Sequence, residues 1–245
     1  MSEATLALRI DAPMQSWGVR SRFTGRDTAA EPTKSGVVGL LASACGVARD
    51  DTARIAELAA LRMGVRVDRE GLVERDFHTA SNVPQSDGTS PRTVLSERYY
   101  LADALFLVAL HGKTDLIAEL AEAVRRPRWP LFFGRKAFVP ASPLIGTDGH
   151  STRRGTGVVE QPLLEVLETH PWLENRFEQR HQVSPADGAE LLRTVVDVPA
   201  SDPEAELRHD HPLSFANDDR RFESRTVRVG HVVLTEAMKG AEACS

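Results

Sequence analysis

The chain has 245 residues, 41% of them hydrophobic and 27% charged, which suits an ordinary globular protein with one sizeable core and excludes a disordered or fibrous one. Its longest apolar stretch, Val37 to Ala48, is interrupted by Gly39, Ser43 and Gly46 and falls short of the roughly 20 residues that a membrane-spanning helix needs. The formal charge of −5 argues against a surface coated in positive charge for indiscriminate nucleic-acid binding.

The first residues, MSEATLALRI, carry an acid at Glu3 and no basic region leading into an apolar segment, so no secretory signal is read there and a cytoplasmic protein is expected. Thr5 to Ile10 alternates as a strand does. Asp11 to Glu31 is polar and irregular, and a loop of that length inside a compact domain is usually functional or disordered. Within it APMQSWGVRSRF places a wedge (Met14), an amide (Gln15), a ring (Trp17) and two cations (Arg20, Arg22) close together. RNA recognition wants that mixture, because unpaired bases stack on aromatic rings while guanidinium groups take phosphates.

EPTKSGVVGLLASACG follows, residues 31 to 46. A nucleotide-holding loop would need a glycine directly before the lysine, and Thr33 stands there instead. Two readings remain. Thr33, Lys34 and Ser35 at the start of a helix can receive a phosphate on free backbone N–H groups; equally, Gly36 and Gly39 can let an ordinary core helix pack closely, with Gly46 as its stop.

A short helix is expected over Thr52 to Ala60, then strands at Arg62 to Asp68 and Leu72 to Asp76 around the turn Arg69-Glu70-Gly71. TASNVPQSDGTSP, between His78 and Pro91, is nearly free of large apolar side chains and reads as an exposed, mobile excursion. Tyr99 to Leu110 is the most strongly apolar strand candidate, although its alanines and leucines would also suit a helix, and Thr114 to Arg125 reads as a helix with Leu116, Ile117, Leu120 and Val124 at 3.6-residue spacing. Strand, helix, strands, strand, helix is the split βαβ order, an antiparallel sheet with helices on one face. Weaker strand candidates lie at Val158 to Val166, Phe177 to Val183 and Leu191 to Val198.

Charge is unevenly spread. Residues 121 to 160 carry seven basic side chains against three acids, residues 161 to 224 fourteen acids against six bases, and only four of the 30 basic residues are lysines. FFGRKAF, residues 132 to 138, sets Gly134, Arg135 and Lys136 among three phenylalanines, either as a phosphate clamp or as a turn with solvated charges. Cys45 and Cys244 offer neither a disulfide framework nor metal-ligand spacing, and no catalytic triad order or HExxH motif occurs, so neither metal nor cofactor is expected. Metal-free RNA cleavage by His78 or His111 with Lys113 stays open as an alternative.

In order, APMQSWG, PTKSGVVGLLASACG, ARDD, RDFHT, ERYYLADALFLVAL and PRWPLFFGRK resemble the CasD subunits of type I-E CRISPR Cascade, within the RAMP superfamily. The resemblance is dense over residues 4 to 146 and loose beyond. It implies an α+β fold with a ferredoxin-like (RRM-like) core over residues 1–145, an extended thumb hairpin around 78–98, and a smaller β-rich carboxy-terminal part over 146–245. It further implies a non-catalytic subunit that holds the 5′ handle of the CRISPR RNA beside the backbone subunit CasC and the large subunit CasA, with target DNA nearby. On that basis the helix start at Thr33, Lys34 and Ser35 would receive RNA phosphate. Gln15, Trp17, Arg20, Arg22, His78, Arg98, Arg135 and Lys136 are the further candidates, with Arg153 and Arg154 as weaker ones. The acidic stretch Asp197 to Glu223 is expected to face solvent or a basic partner.

Overall fold

The computed structural model describes residues 2–19, 25–85, 87–146, 156–174 and 190–240. In chain order the described elements are β1 (Glu3–Asp11), β2 (Met14–Gln15), β3 (Gly25–Arg26), α1 (Lys34–Cys45), α2 (Thr52–Ala59), β4 (Arg62–Arg69), β5 (Leu72–Val83), β6 (Arg92–Ala102) and β7 (Leu105–Lys113). They continue with α3 (Thr114–Arg125), β8 (Gly157–Val159), α4 (Leu163–Thr169), β9 (Leu191–Asp197), β10 (Glu206–Phe215), β11 (Arg220–Val233) and α5 (Glu236–Lys239).

Seven strands form one antiparallel sheet in the order β10-β11-β9-β4-β7-β1-β8. Its β4-β7-β1-β8 portion, with α1 and α2 between β1 and β4 and α3 between β7 and β8, has the split βαβ arrangement. The class is α+β, as the sequence indicates. Alternate residues explain the packing: Leu6, Leu8 and Ile10 of β1, Met63 and Val65 of β4, and Phe106, Val108 and Leu110 of β7 are buried against Val37, Leu41, Ile55, Leu58, Ile117 and Leu120 of the three helices. The intervening residues Ala7, Leu105, Leu107 and Ala109 are also apolar, and α4 covers them with Leu163, Val166 and Leu167. Helices therefore lie on both faces of the sheet, not on one as expected.

Three local expectations change. Tyr99 to Leu110 is two strands, because the chain turns at Asp103 with φ 60. Of the Val158 to Val166 candidate only Val158 and Val159 are strand, as the end of β8; Pro162 then stands at the amino end of α4, a position where its missing N–H costs nothing. Phe177 to Val183 lies outside the described residues. At the expected boundary near residue 146 the sheet does not break: β8 pairs with β1, and β9 pairs with β4 through Gly64↔Val196 and Val65↔Val195.

The hairpin is the second sheet. β5 and β6 pair from Leu72↔Ala102 to Val83↔Arg92, so the exposed excursion expected between His78 and Pro91 is the far end and turn of a strand pair, and the hairpin begins and ends outside the expected 78–98. On the far edge of β6, the irregular 11–31 segment supplies β2 and β3, with Gln15↔Leu101 antiparallel and Arg26↔Arg98 parallel.

Candidate nucleic-acid interface at the hairpin root

The start of helix α1 is occupied from within the chain. Thr33 caps it, its side chain accepting from the Gly36 N–H, and Gly46 closes it in the left-handed region at φ 73. The first free N–H, that of Lys34, donates to Asp210 Oδ2 at 2.8 Å. Lys34 is 5% exposed; its Nζ donates to Leu61 O at 2.7 Å and to Asp197 Oδ2 at 2.6 Å. Arg225 completes the network, bidentate on Asp210 at 2.7 and 3.0 Å and bonded to Asp197. Burial dominates in pushing the Lys34 ammonium below its ordinary value, although Asp197 opposes it. Lys34 is thus no free phosphate ligand, and Thr33 and Ser35 share one weak contact at 3.5 Å. Asp197 and Asp210, expected to face outward with the rest of the acidic stretch, turn inward to this network.

The MQSWG segment is likewise spent on packing. Trp17 is 2% exposed, with its ring 5.8 Å from that of Phe133 and against Gly36, where an added Cβ would come within 2.7 Å of it. Its Nε1 donates to Gln15 Oε1 at 3.2 Å, and Gln15 Nε2 donates to Ala104 O at 2.8 Å. Neither the ring nor the amide faces solvent, so the expected stacking surface and base-reading amide are instead the joint between α1, the hairpin root and the 132–138 loop. Arg20, Arg22, Arg153 and Arg154 lie outside the described residues.

That joint carries the cations. Gly134 adopts φ 89 and lies so close to Ser16 that a Cβ would be 1.9 Å from its carbonyl oxygen, while Ser16 N–H donates to Phe133 O at 3.0 Å. The contact fixes the next residue, Arg135, over the hairpin. Arg135 Nη2 donates to Tyr99 O at 2.7 Å, the guanidinium lies 5.1 Å from the Phe138 ring centre, and Nη1 is buried without a partner. Burial lowers its pKa, and Arg98 and Arg26 act in the same direction against Asp76. Register agrees: Arg98 stands between Asp76 on β5 and Arg26 on β3, on one face of the hairpin sheet. His78 and Ser96 are the next pair outward on that face, and Lys136 is exposed beside Arg135. Arg26 was missed in the sequence reading, which stopped at Phe23; the signal was a third arginine directly after Gly25.

Three guanidinium groups thus lie on one face, an exposed Arg26, a half-buried Arg98 and a half-buried Arg135 backed by the Phe138 ring, and this is the chemistry that can receive phosphate. His78 and His111, the candidates for metal-free cleavage, stand apart. His111 pairs with Thr5 and Arg62 at one end of β7, whereas the hairpin leaves from the Leu105 end, six residues or about 20 Å away along the strand. His111 Nδ1 and Nε2 sit 3.0 Å from Thr5 Oγ1 and 3.2 Å from Glu3 Oε2, apart from His78 on the hairpin. Among the described residues no three His, Cys, Asp or Glu side chains are grouped to hold a metal ion, and no helix is long and apolar enough to cross a membrane.

Residues 5–228 match the sequence profile of the CRISPR-associated protein family Cas_Cas5. The chain belongs to this family. It is 36% identical over 158 residues to the CRISPR system Cascade subunit CasD of Escherichia coli (strain K12), covering 58% of this chain and 70% of that one. Among solved structures, a chain of a "CRISPR RNA-guided surveillance complex" superposes with a TM-score of 0.76 at 30% identity, over 96% of this chain and 92% of that one. A "Cas protein" crystal structure superposes with a TM-score of 0.67 at 38% identity, over 96% of both chains. The superpositions on these two solved structures extend over 96% of this Cas_Cas5 chain, and the family profile runs from residue 5 to residue 228.

Proposed function

We propose that this Cas_Cas5 protein is a non-catalytic, RNA-binding subunit of a CRISPR Cascade surveillance complex. It holds the 5′ handle of the CRISPR RNA at the root of its hairpin, next to the backbone subunit CasC and the large subunit CasA, with target DNA nearby. The observation that carries this reading is the convergence of Arg26, Arg98 and Arg135 on one face of the hairpin, with a buried Arg135 donor left over. Similarity to CasD and to a surveillance-complex chain supports the assembly. Phosphates of the handle bind the three arginines, Lys136 and His78 lie alongside, and the hairpin reaches across the strand. Gln15, Trp17, Thr33, Lys34 and Ser35 support this surface from within.

The test is reconstitution of the complex with Arg98→Ala, Arg135→Ala and Arg26→Ala chains on a labelled guide RNA. Each variant should weaken handle retention and reduce the slope of log affinity against log salt by roughly 0.7 per lost phosphate contact, the increment for single strands. Unchanged retention and slope in all three would refute the interface. The same samples in EDTA should show no cleavage of a repeat RNA; specific cleavage would overturn the non-catalytic assignment.

A further inference from the structure

Asp76 is out of place in a phosphate site. It sits directly across from Arg98 and close enough to Arg135 to oppose the two arginines acting on it. Its carboxylate nevertheless enters no ion pair or hydrogen bond among the described residues: Arg98 Nε turns to Ser96 Oγ at 3.1 Å and Arg135 Nη2 to the Tyr99 carbonyl. A free, exposed carboxylate repels the phosphates that the arginines attract. Toward the strand it can only accept, and RNA offers it two kinds of donor, the 2′-hydroxyls and the base edges, of which only the edges distinguish one base from another.

Resting on the interface proposed above, we infer that Asp76 is a specificity-determining residue that accepts hydrogen bonds from the Watson–Crick edge of an unpaired guanine in the bound strand. Guanine alone presents two adjacent donors, N1–H and N2–H, which match the two oxygens of a carboxylate. Cytosine and adenine put a ring-nitrogen acceptor beside their amino group, and uracil flanks N3–H with two carbonyl oxygens, so each sets a lone pair against the carboxylate. The neighbouring Arg98 and Arg135 hold the flanking phosphates, and the ring-backed guanidinium of Arg135 offers a flat surface to the base.

The experiment uses the assembled complex and a set of guide RNAs in which each handle position in turn carries guanine, inosine or adenine. The expected result is one position where guanine binds at least about fivefold tighter than inosine or adenine, a preference that Asp76→Ala abolishes and Asp76→Asn reduces. An Asp76→Ala chain that tightens every RNA alike would show only relief of charge repulsion and would overturn the inference, as would the absence of any guanine-preferring position. If instead Arg98→Ala and Arg135→Ala leave all affinities unchanged, the interface itself is wrong, a result separable from the failure of Asp76 alone.

Discussion

Asp210 Oδ2 accepts the backbone N–H of Lys34 at 2.8 Å while both oxygens of the same carboxylate hold Arg225. One side chain of the carboxy-terminal strands thereby caps a helix of the amino-terminal core. Asp210→Ala removes this partner of the Lys34 N–H, with Thr33 still capping the helix, and leaves Arg225 with only Asp197 in a buried setting, so unfolding free energy should fall by about 3–5 kcal/mol, read by urea denaturation. Lys34→Ala should cost less, because Asp197 keeps Arg225. In folded complex, neither change should alter the salt slope of guide-RNA binding, which a direct phosphate ligand would.

His211, next to this network on β10, is held below the ordinary histidine value, first by burial and then by Lys34, with Glu223 and Asp197 opposing. Between about 6.5 and that lowered value the unfolded chain binds a proton that the folded chain does not. Stability should therefore fall as pH drops through this window and level off below it. A His211→Gln chain should lack that part of the pH dependence in denaturation midpoints measured from pH 7.5 to 5.

Gly134 tolerates no side chain. With φ 89 and the Ser16 carbonyl 1.9 Å from an added Cβ, Gly134→Ala must push the 132–138 loop off β2. The expected cost is about 1–3 kcal/mol, and handle affinity should drop along with Arg135, whose anchor on Tyr99 would be lost. A variant with full affinity would show that Arg135 is placed by other contacts.

Trp17 separates a stacking residue from a packing one. Trp17→Ala should lose about 3–5 kcal/mol of stability, as expected for a buried large-to-small change. Trp17→Phe should retain most of it and bind the handle as the parent does. A base-stacking residue would give the opposite pattern, with intact stability and a loss of about 1–3 kcal/mol in binding on truncation to alanine.

Periodicity carried most of the core. Thr114–Arg125 is helix where the Leu116, Ile117, Leu120, Val124 spacing placed it, and Thr33 and Gly46 bound α1 as their side-chain and backbone preferences dictate. The functional face was harder to read, because a sequence shows residue types and not their partners. Trp17, Gln15 and Lys34 have the chemistry of RNA ligands, yet the carboxylates, ring and carbonyl that consume them lie 2 to 176 positions away along the chain. Arg98 and Arg135 meet through the pairing of β2 with β6, the Gly134–Ser16 contact beside it and the bond of Arg135 to the Tyr99 carbonyl, none of which has a local signature. α4 was missed because seven residues beginning after a proline give too short a pattern to distinguish from strand.

The hairpin springs from the ends of β4 and β7, adjacent strands in the interior of the seven-stranded sheet. Arg98, the hairpin's member of the proposed site, lies ten residues from Gly88 in the turn and is flanked by Arg26 and Arg135 from outside the hairpin. Reach and grip are consequently set by different stretches of chain. Extra residue pairs near the turn would lengthen the arm without disturbing the root, the ordering cost of about 1–2 kcal/mol per added residue being offset by the ladder they form. A longer or shorter arm would in this way meet a neighbour of different girth without altering the root.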